Sequence, residues 1–230
     1  MKKNQKRPEL RRFKWLVGID EVGRGPLAGP VAVCASLVRF DDLRKDSGKI
    51  NASLRKLMKF SSSLKLTDSK KLSLKQRGEW FDVLKSSEKG GHIYFSLEYA
   101  SAQTIDAKGI AVCIKSLVNK NLKKLQKKIN FSYDDVLVLL DGGLKAPTEF
   151  IHQETIIKGD EKEAIISYAS IIAKVSRDEY MKKLSKKYPE YGFDIHKGYG
   201  TLAHRIAIQK NGVSNEHRVS FLSSIIGSMK

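Results

Sequence analysis

A run of five residues without a polar side chain, Val136–Leu140, stops abruptly at Asp141-Gly142-Gly143. Such a run reads as a buried strand ending at a turn. A second apolar run, Leu16–Ile19, also stops on acids, Asp20 and Glu21, before the turn-rich stretch Gly23–Pro30. Val31–Val38 follows closely enough to form a hairpin-like pair with it, and His92–Ala100 alternates as a third strand. Ile151–Lys158 reads as a further short strand.

Helical spacing marks the rest. Ser73–Lys85 has a starting serine and an apolar face through Trp80, Phe81 and Leu84. Ile110, Ile114, Leu117, Val118, Leu122, Leu125 and Ile129 form one stripe, with Lys115, Lys120, Lys123, Lys124 and Lys127 on the opposite, solvated side. Glu161–Lys187 reads as one long helix with Pro189 beyond it, and Leu202–Lys210 and Ser220–Ile226 as short terminal helices. Strands first, then helices alternating with strands, predict an α/β fold with a mixed sheet covered by helices. No internal repeat is visible.

Charge narrows the partner. Lys and Arg number 43 against 25 Asp and Glu, a net charge of +18. That balance points to a polyanion, with nucleic acid the first choice over a merely basic soluble protein. Residues 1–14 carry seven Lys or Arg and a single acid, Glu9, and read as a flexible basic arm ahead of one domain, 15–230. Residues 41–64, rich in Ser and Lys, read as a surface excursion, and 189–230 as a C-terminal helical segment. No apolar stretch approaches the ~18 residues of a membrane span, and no apolar segment of a secretory signal follows the basic start. A cytoplasmic protein with no membrane partner is expected. Cys34 and Cys113 are expected as buried thiols.

Four acids occupy positions of interest. Asp20 and Glu21 close one strand, Asp141 closes another, and Asp160 precedes the long helix. Carboxylates gathered in a basic protein repel one another unless a cation intervenes, and hard oxygen ligands suit Mg²⁺ or Mn²⁺. Two such ions clamp an in-line attack at phosphorus. Each acid also has a plainer reading. Asp141 suits an Asp-Gly turn, Asp160 with Glu163 suits a helix cap, and Asp20-Glu21 suits a solvated strand exit. Neighbouring residues of a regular strand face opposite ways, so the last two share a site only if the strand bends. Gly23-Arg24-Gly25 offers close backbone approach and a charged donor, or a plain turn. The five histidines lack zinc-ligand spacing, and no G-x-S-x-G serine motif occurs.

In combination, the residues resemble a known family. Gly18-Ile19-Asp20-Glu21-Val22-Gly23-Arg24-Gly25-Pro26-Leu27-Ala28-Gly29-Pro30-Val31 is similar to the opening signature of ribonuclease HII. So are Asp68-Ser69-Lys70-Lys71-Leu72, Asp141-Gly142, Lys158-Gly159-Asp160, the 169–178 helix, His196-Lys197-Gly198-Tyr199-Gly200-Thr201 and His217-Arg218-Val219-Ser220-Phe221. These matches run in order from about residue 16 to residue 221.

The resemblance implies an RNase H-like fold and a divalent-metal endonuclease. Its substrates would be RNA–DNA hybrids and single ribonucleotides embedded in duplex DNA, with 3′-hydroxyl and 5′-phosphate products. It implies Asp20, Glu21, Asp141 and Asp160 as catalytic metal carboxylates, with Mn²⁺ or Mg²⁺ bound, two ions in all. It assigns Gly23, Arg24 and Gly25 to the ribose 2′-hydroxyl, Tyr199 to the sugar after the junction, and Ser69 and Lys70 to backbone phosphates. A monomer is expected. Residues 41–64 are longer than the usual link, and 14 leading residues cannot form the substrate-binding domain of the sister ribonuclease HIII group. The competing readings are a nucleic-acid-binding protein without turnover and a related nuclease acting on DNA junctions.

Overall fold

The apolar run around Ile19 becomes an eight-residue strand, β1 (Trp15–Val22), in the computed structural model, which describes residues 12–40 and 72–222. β2 (Val31–Arg39) lies antiparallel beside it in an unbroken register from Trp15↔Arg39 to Val22↔Ala32, the expected hairpin-like pair. Helix α1 (Leu74–Lys89) begins at Ser73 through a capping box. The Gln76 side chain accepts the Ser73 N–H at 2.9 Å and the Ser73 hydroxyl accepts the Gln76 N–H at 3.2 Å, satisfying two otherwise unpaired donors. β3 (Ile93–Ala100) pairs antiparallel with β2. A short helix that periodicity did not indicate, α2 (Ala102–Lys108), precedes α3 (Ile110–Ile129). β4 (Val136–Asp141) and β5 (Gln153–Ile156) complete the sheet, the latter shorter than its apolar flanks implied.

The single helix expected over Glu161–Lys187 is instead two, α4 (Gly159–Lys162) and α5 (Ala164–Lys187). Glu163 is extended between them, at φ −122° and ψ 115°. The break leaves α5 free to lie on the sheet, where the Ser36 hydroxyl donates to the Ile165 carbonyl at 2.6 Å. Beyond it come α6 (Phe193–His196) and α7 (Leu202–Asn211). The terminal helix expected from Ser220 begins as a 3-10 turn over Val219–Phe221, and residues 223–226 lie outside the described residues. The excursion 41–64, residues 1–11 of the arm, Ser69 and Lys70 lie outside them too. Within the arm's last residues, Phe13 is buried and Lys14 pairs with Asp135 at 2.9 Å.

The sheet order is β3-β2-β1-β4-β5, with β4 parallel to both neighbours. Strand alternation divides the core between its two faces. Val17, Ile19, Val138 and Leu140 pack with the apolar stripe of α3, whose Lys115, Lys120 and Lys123 remain outside. Leu16, Cys34 and Leu139 pack with α1 and α5 on the other face. A third cluster, including Ala28, Met181, Phe193 and Ile208, fastens the C-terminal segment to the far half of α5 and to the loop after β1. Both cysteines are buried and free. Among the described residues no helix is long and apolar enough to cross a membrane.

Candidate active site

The parallel register of β1 and β4 ends with Ile19 opposite Leu140. The next residue on each strand is an acid, so Asp20 and Asp141 stand as neighbours just past that pairing, each still held by its other strand, Asp20 opposite Cys34 and Asp141 opposite Ile156. Both lie two residues beyond positions on the α5 face, Gly18 and Leu139. Gly18 permits that helix to approach, since a β-carbon there would sit 2.4 Å from the Ile165 backbone. The approach brings the Ser170 hydroxyl to Asp20 as a hydrogen-bond donor.

Asp20 is only 6% exposed, and its Oδ1 accepts the Glu21 N–H at 2.8 Å. Burial pushes its carboxyl well above the usual range. The Ser170 hydrogen bond opposes that shift, and the charges of Asp141, Glu21 and Asp160 add to it. Asp20, Glu21, Asp141, Ser170, Lys174 and Tyr199 line one cleft of about 370 Å³. Asp20 and Glu21 share it although they are neighbours on β1. The ladder with β2 is regular through Val22, and the cleft wraps the sheet end where β1 outruns its pairing with β4.

The plainer readings fare unequally. Asp141 does form a turn, its carbonyl accepting the Leu144 N–H at 3.2 Å. Its carboxylate does more, accepting the Gly159 N–H at 2.6 Å and bracing α4 against β4. Asp160 caps neither helix: it lies inside α4, while Lys158 and Glu163 hold the cap positions without side-chain cap bonds. It is fully buried, and its charge is felt at Asp20 although it does not line the cleft.

Two buried arginines shape the loop after β1. Arg218 donates to the carbonyls of Gly23 at 2.7 Å, Arg24 at 3.0 Å and Gly29 at 3.0 Å. Arg177 donates to Pro30 at 2.9 Å, Lys197 at 3.1 Å and Ala28 at 3.4 Å. Burial, then the Arg177 charge, lowers Arg218 to about 10, still a cation at neutral pH. Gly23 has φ +87°, and a β-carbon there would meet Arg177 Nε at 2.3 Å. Gly25 has open space around it, leaving room for a ligand at its backbone. Arg24 is exposed and pairs with Glu21 at 3.2 Å.

Tyr199 projects into solvent, 43% exposed, on a backbone held from behind. Its carbonyl accepts from Thr201 N–H at 2.8 Å and from His204 Nδ1 at 2.9 Å. The hydrogen bonds fix the tautomers in turn. Ser214 N–H donates to His217 Nδ1 at 2.9 Å, so the proton of His217 sits on Nε2 and is donated to His204 Nε2 at 3.1 Å. His204 therefore carries its own proton on Nδ1, aimed at Tyr199. Burial lowers both rings to about 4, which keeps this neutral chain intact. His196 stacks on His204 and donates from Nε2 to the Tyr191 carbonyl at 2.7 Å. Sequence spacing gave no sign that three histidines converge, yet each ring nitrogen is committed to a hydrogen bond, which disfavours zinc.

Ser170, Lys174, Arg177 and Arg218 all fall in segments that carry the family resemblance, yet none of them was expected to have a role in the site. The first three had a signal, polar residues recurring at helical spacing along an otherwise apolar α5. Arg218 stood out only through the His217–Phe221 match, and its task stayed hidden because the carbonyls it binds lie nearly two hundred residues earlier.

Among the described residues no three acidic, His or Cys side chains form a ready-made cation cage. The donors nevertheless fit a hard divalent ion. Buried Asp20 is crowded by three other carboxylates, a repulsion that a cation relieves. Magnesium-like ions bind through one or two carboxylates, keep several waters and take substrate phosphate oxygens.

The sequence model for ribonuclease HII matches residues 17–224. The chain is 40% identical over 215 residues to ribonuclease HII of Aliarcobacter butzleri, covering 94% of each chain. Its fold is similar to that of ribonuclease H2 from Pyrococcus horikoshii, with TM-score 0.60, 22% identity and 93% and 98% of the two chains covered. It is also similar to Bst-RNase HIII in complex with Mn²⁺, with TM-score 0.63, 16% identity and 96% and 72% covered.

Proposed function

The chain belongs to the ribonuclease HII family and is an RNase H endonuclease, and from that premise we propose a divalent-metal-dependent cut at ribonucleotides, in RNA–DNA hybrids and singly in duplex DNA. The products would carry 3′-hydroxyl and 5′-phosphate ends. The observation that carries this reading is the placement of Asp20 and Asp141 side by side just past the β1–β4 pairing, with Glu21 in the same cleft.

These three carboxylates would hold Mg²⁺ or Mn²⁺, with buried Asp160 as the fourth acid adding negative charge behind them. When bound there, the ions would polarise the phosphodiester and supply a nucleophilic water. The chain's own residues supply the rest. Ser170 orients Asp20, and the Gly159 N–H orients Asp141. Lys174, held by Asp178 at 2.8 Å, presents a cation at the cleft wall. The loop Gly23-Arg24-Gly25 would read the 2′-hydroxyl, the group that separates RNA from DNA. Tyr199 would stack on the following deoxyribose, where an added hydroxyl would crowd the ring. Ser69 and Lys70 are assigned to backbone phosphates by the family motif alone. The domain would act as one catalytic unit, 15–230, and as a monomer.

A binding protein without turnover fits less well, because acids lining a cleft repel phosphates unless a cation is recruited. The test is a duplex DNA with one ribonucleotide, incubated with Mg²⁺ or Mn²⁺, and the product ends identified. A single nick at the ribonucleotide with the stated ends is expected. No nick with either metal, or equal nicking of all-DNA duplex, overturns the proposal.

A further inference from the structure

A second groove opens beside the acidic cleft, on the other side of Arg24. It measures about 690 Å³ and lies between the first half of α3 and the 143–149 loop that follows β4. Ile114, Val118, Leu144 and Ala146 line it, each at most 9% exposed, so its floor is the apolar surface of the core. Arg24, Lys115 and Lys145 stand exposed around it, against one acid, Glu149.

Cleft and groove adjoin. Arg24 lines the groove while its guanidinium pairs with Glu21 in the cleft, and Gly143 of the groove is two residues past Asp141. Cations above an apolar floor suit a polymer whose charges repeat along a carbon-rich backbone. Its phosphates meet the basic side chains, and its sugar faces meet the floor. A small apolar ligand would make no use of Lys115 and Lys145 at the groove rim.

The geometry points to this groove as the track for the phosphodiester backbone of the substrate duplex beyond the cut, with Lys115 and Lys145 as phosphate contacts. This assignment rests on the nucleic-acid substrate proposed above. It sets Lys115 apart from the other lysines of α3, which share its helix and charge but not its position. Contacts of this kind fix register along the duplex and carry no base preference.

The test measures binding rather than turnover. The full chain is titrated, without divalent cation, onto a labelled duplex of about 20 base pairs carrying one ribonucleotide, and anisotropy is followed from ~50 to ~200 mM salt. The Lys115→Glu, Lys145→Glu double variant should bind about 10-fold more weakly and lose ~1.8 from the slope of log affinity against log salt, two phosphate contacts' worth. Lys123→Glu with Lys127→Glu makes the same charge change on the same helix away from the groove, and should leave affinity within about 2-fold. Unchanged affinity and slope in the groove variant, or an equal loss in the control pair, overturns the assignment. Failure of the unaltered chain to nick would overturn the nuclease reading alone, because the binding comparison decides the groove separately.

Discussion

The Arg218 guanidinium donates to the Gly23 carbonyl at 2.7 Å, joining the last described turn of the chain to the loop that follows its first strand. The same side chain holds the Arg24 and Gly29 carbonyls, so one buried cation sets the backbone of the proposed ribose-reading loop.

Lysine in its place keeps the charge but cannot reach three carbonyls as a planar fork does. Arg218→Lys should cost about 2–4 kcal/mol of stability in urea unfolding, because buried carbonyls lose their donors. It should also reduce the preference for ribonucleotide over all-DNA substrate. Unaltered stability and preference would contradict the positioning role.

Arg24→Ala separates reading from holding. The Arg24 side of its pair with Glu21 is open to solvent, so stability should move by less than ~1 kcal/mol. The ribonucleotide preference should still weaken. Equal nicking ratios in variant and wild type would remove Arg24 from the reading loop.

Gly18→Ala tests whether contact between β1 and α5 places Ser170 on Asp20. The new methyl meets the Ile165 backbone at 2.4 Å, where no flexible side chain can yield. A stability loss on the order of 2–4 kcal/mol is expected, with a fall in metal-dependent cleavage rate. A variant as stable and active as wild type would refute the packing argument.

The neutral His204–His217 pair predicts an acid-sensitive fold. An unperturbed imidazole titrates at 6.5, whereas both rings titrate at about 4 in the folded chain. As pH falls, the unfolded chain takes up protons first. The stability contributed by the pair is therefore complete above about pH 6.5 and is lost between there and about pH 4. Urea unfolding should show a loss on the order of 3 kcal/mol for each ring over that window. A His204→Gln, His217→Gln double variant should lose less, and parallel curves would contradict the account.

Much of this arrangement was legible in the sequence, because strands and the α3 stripe follow local hydrophobic periodicity. Val136–Leu140 and Leu16–Ile19 announced buried strands, and their terminal acids fall at one sheet end because parallel register aligns them. What escaped depends on distant contacts. The break at Glu163 follows from docking of α5 on Gly18 and Ser36, which no property of Glu161–Lys187 encodes. That Asp20 and Glu21, neighbours on β1, line one cleft follows from where pairing with β4 stops, at Ile19 and Leu140, which no local spacing announces. Capping at Asp160 was a sound local reading that burial against the acid cluster overrides.

We assign metal-dependent cleavage to the carboxylates at the ends of β1 and β4. Asp141→Asn keeps an oxygen to accept the Gly159 N–H and removes only the charge, so the fold should persist. The direct measurement is single-turnover nicking of a one-ribonucleotide duplex by wild type and Asp141→Asn, with duplex affinity measured alongside. Wild type should cleave in Mg²⁺ or Mn²⁺, the variant should lose at least ~10³-fold, and both should bind the duplex with similar affinity. Equal cutting by the two proteins would contradict the assignment.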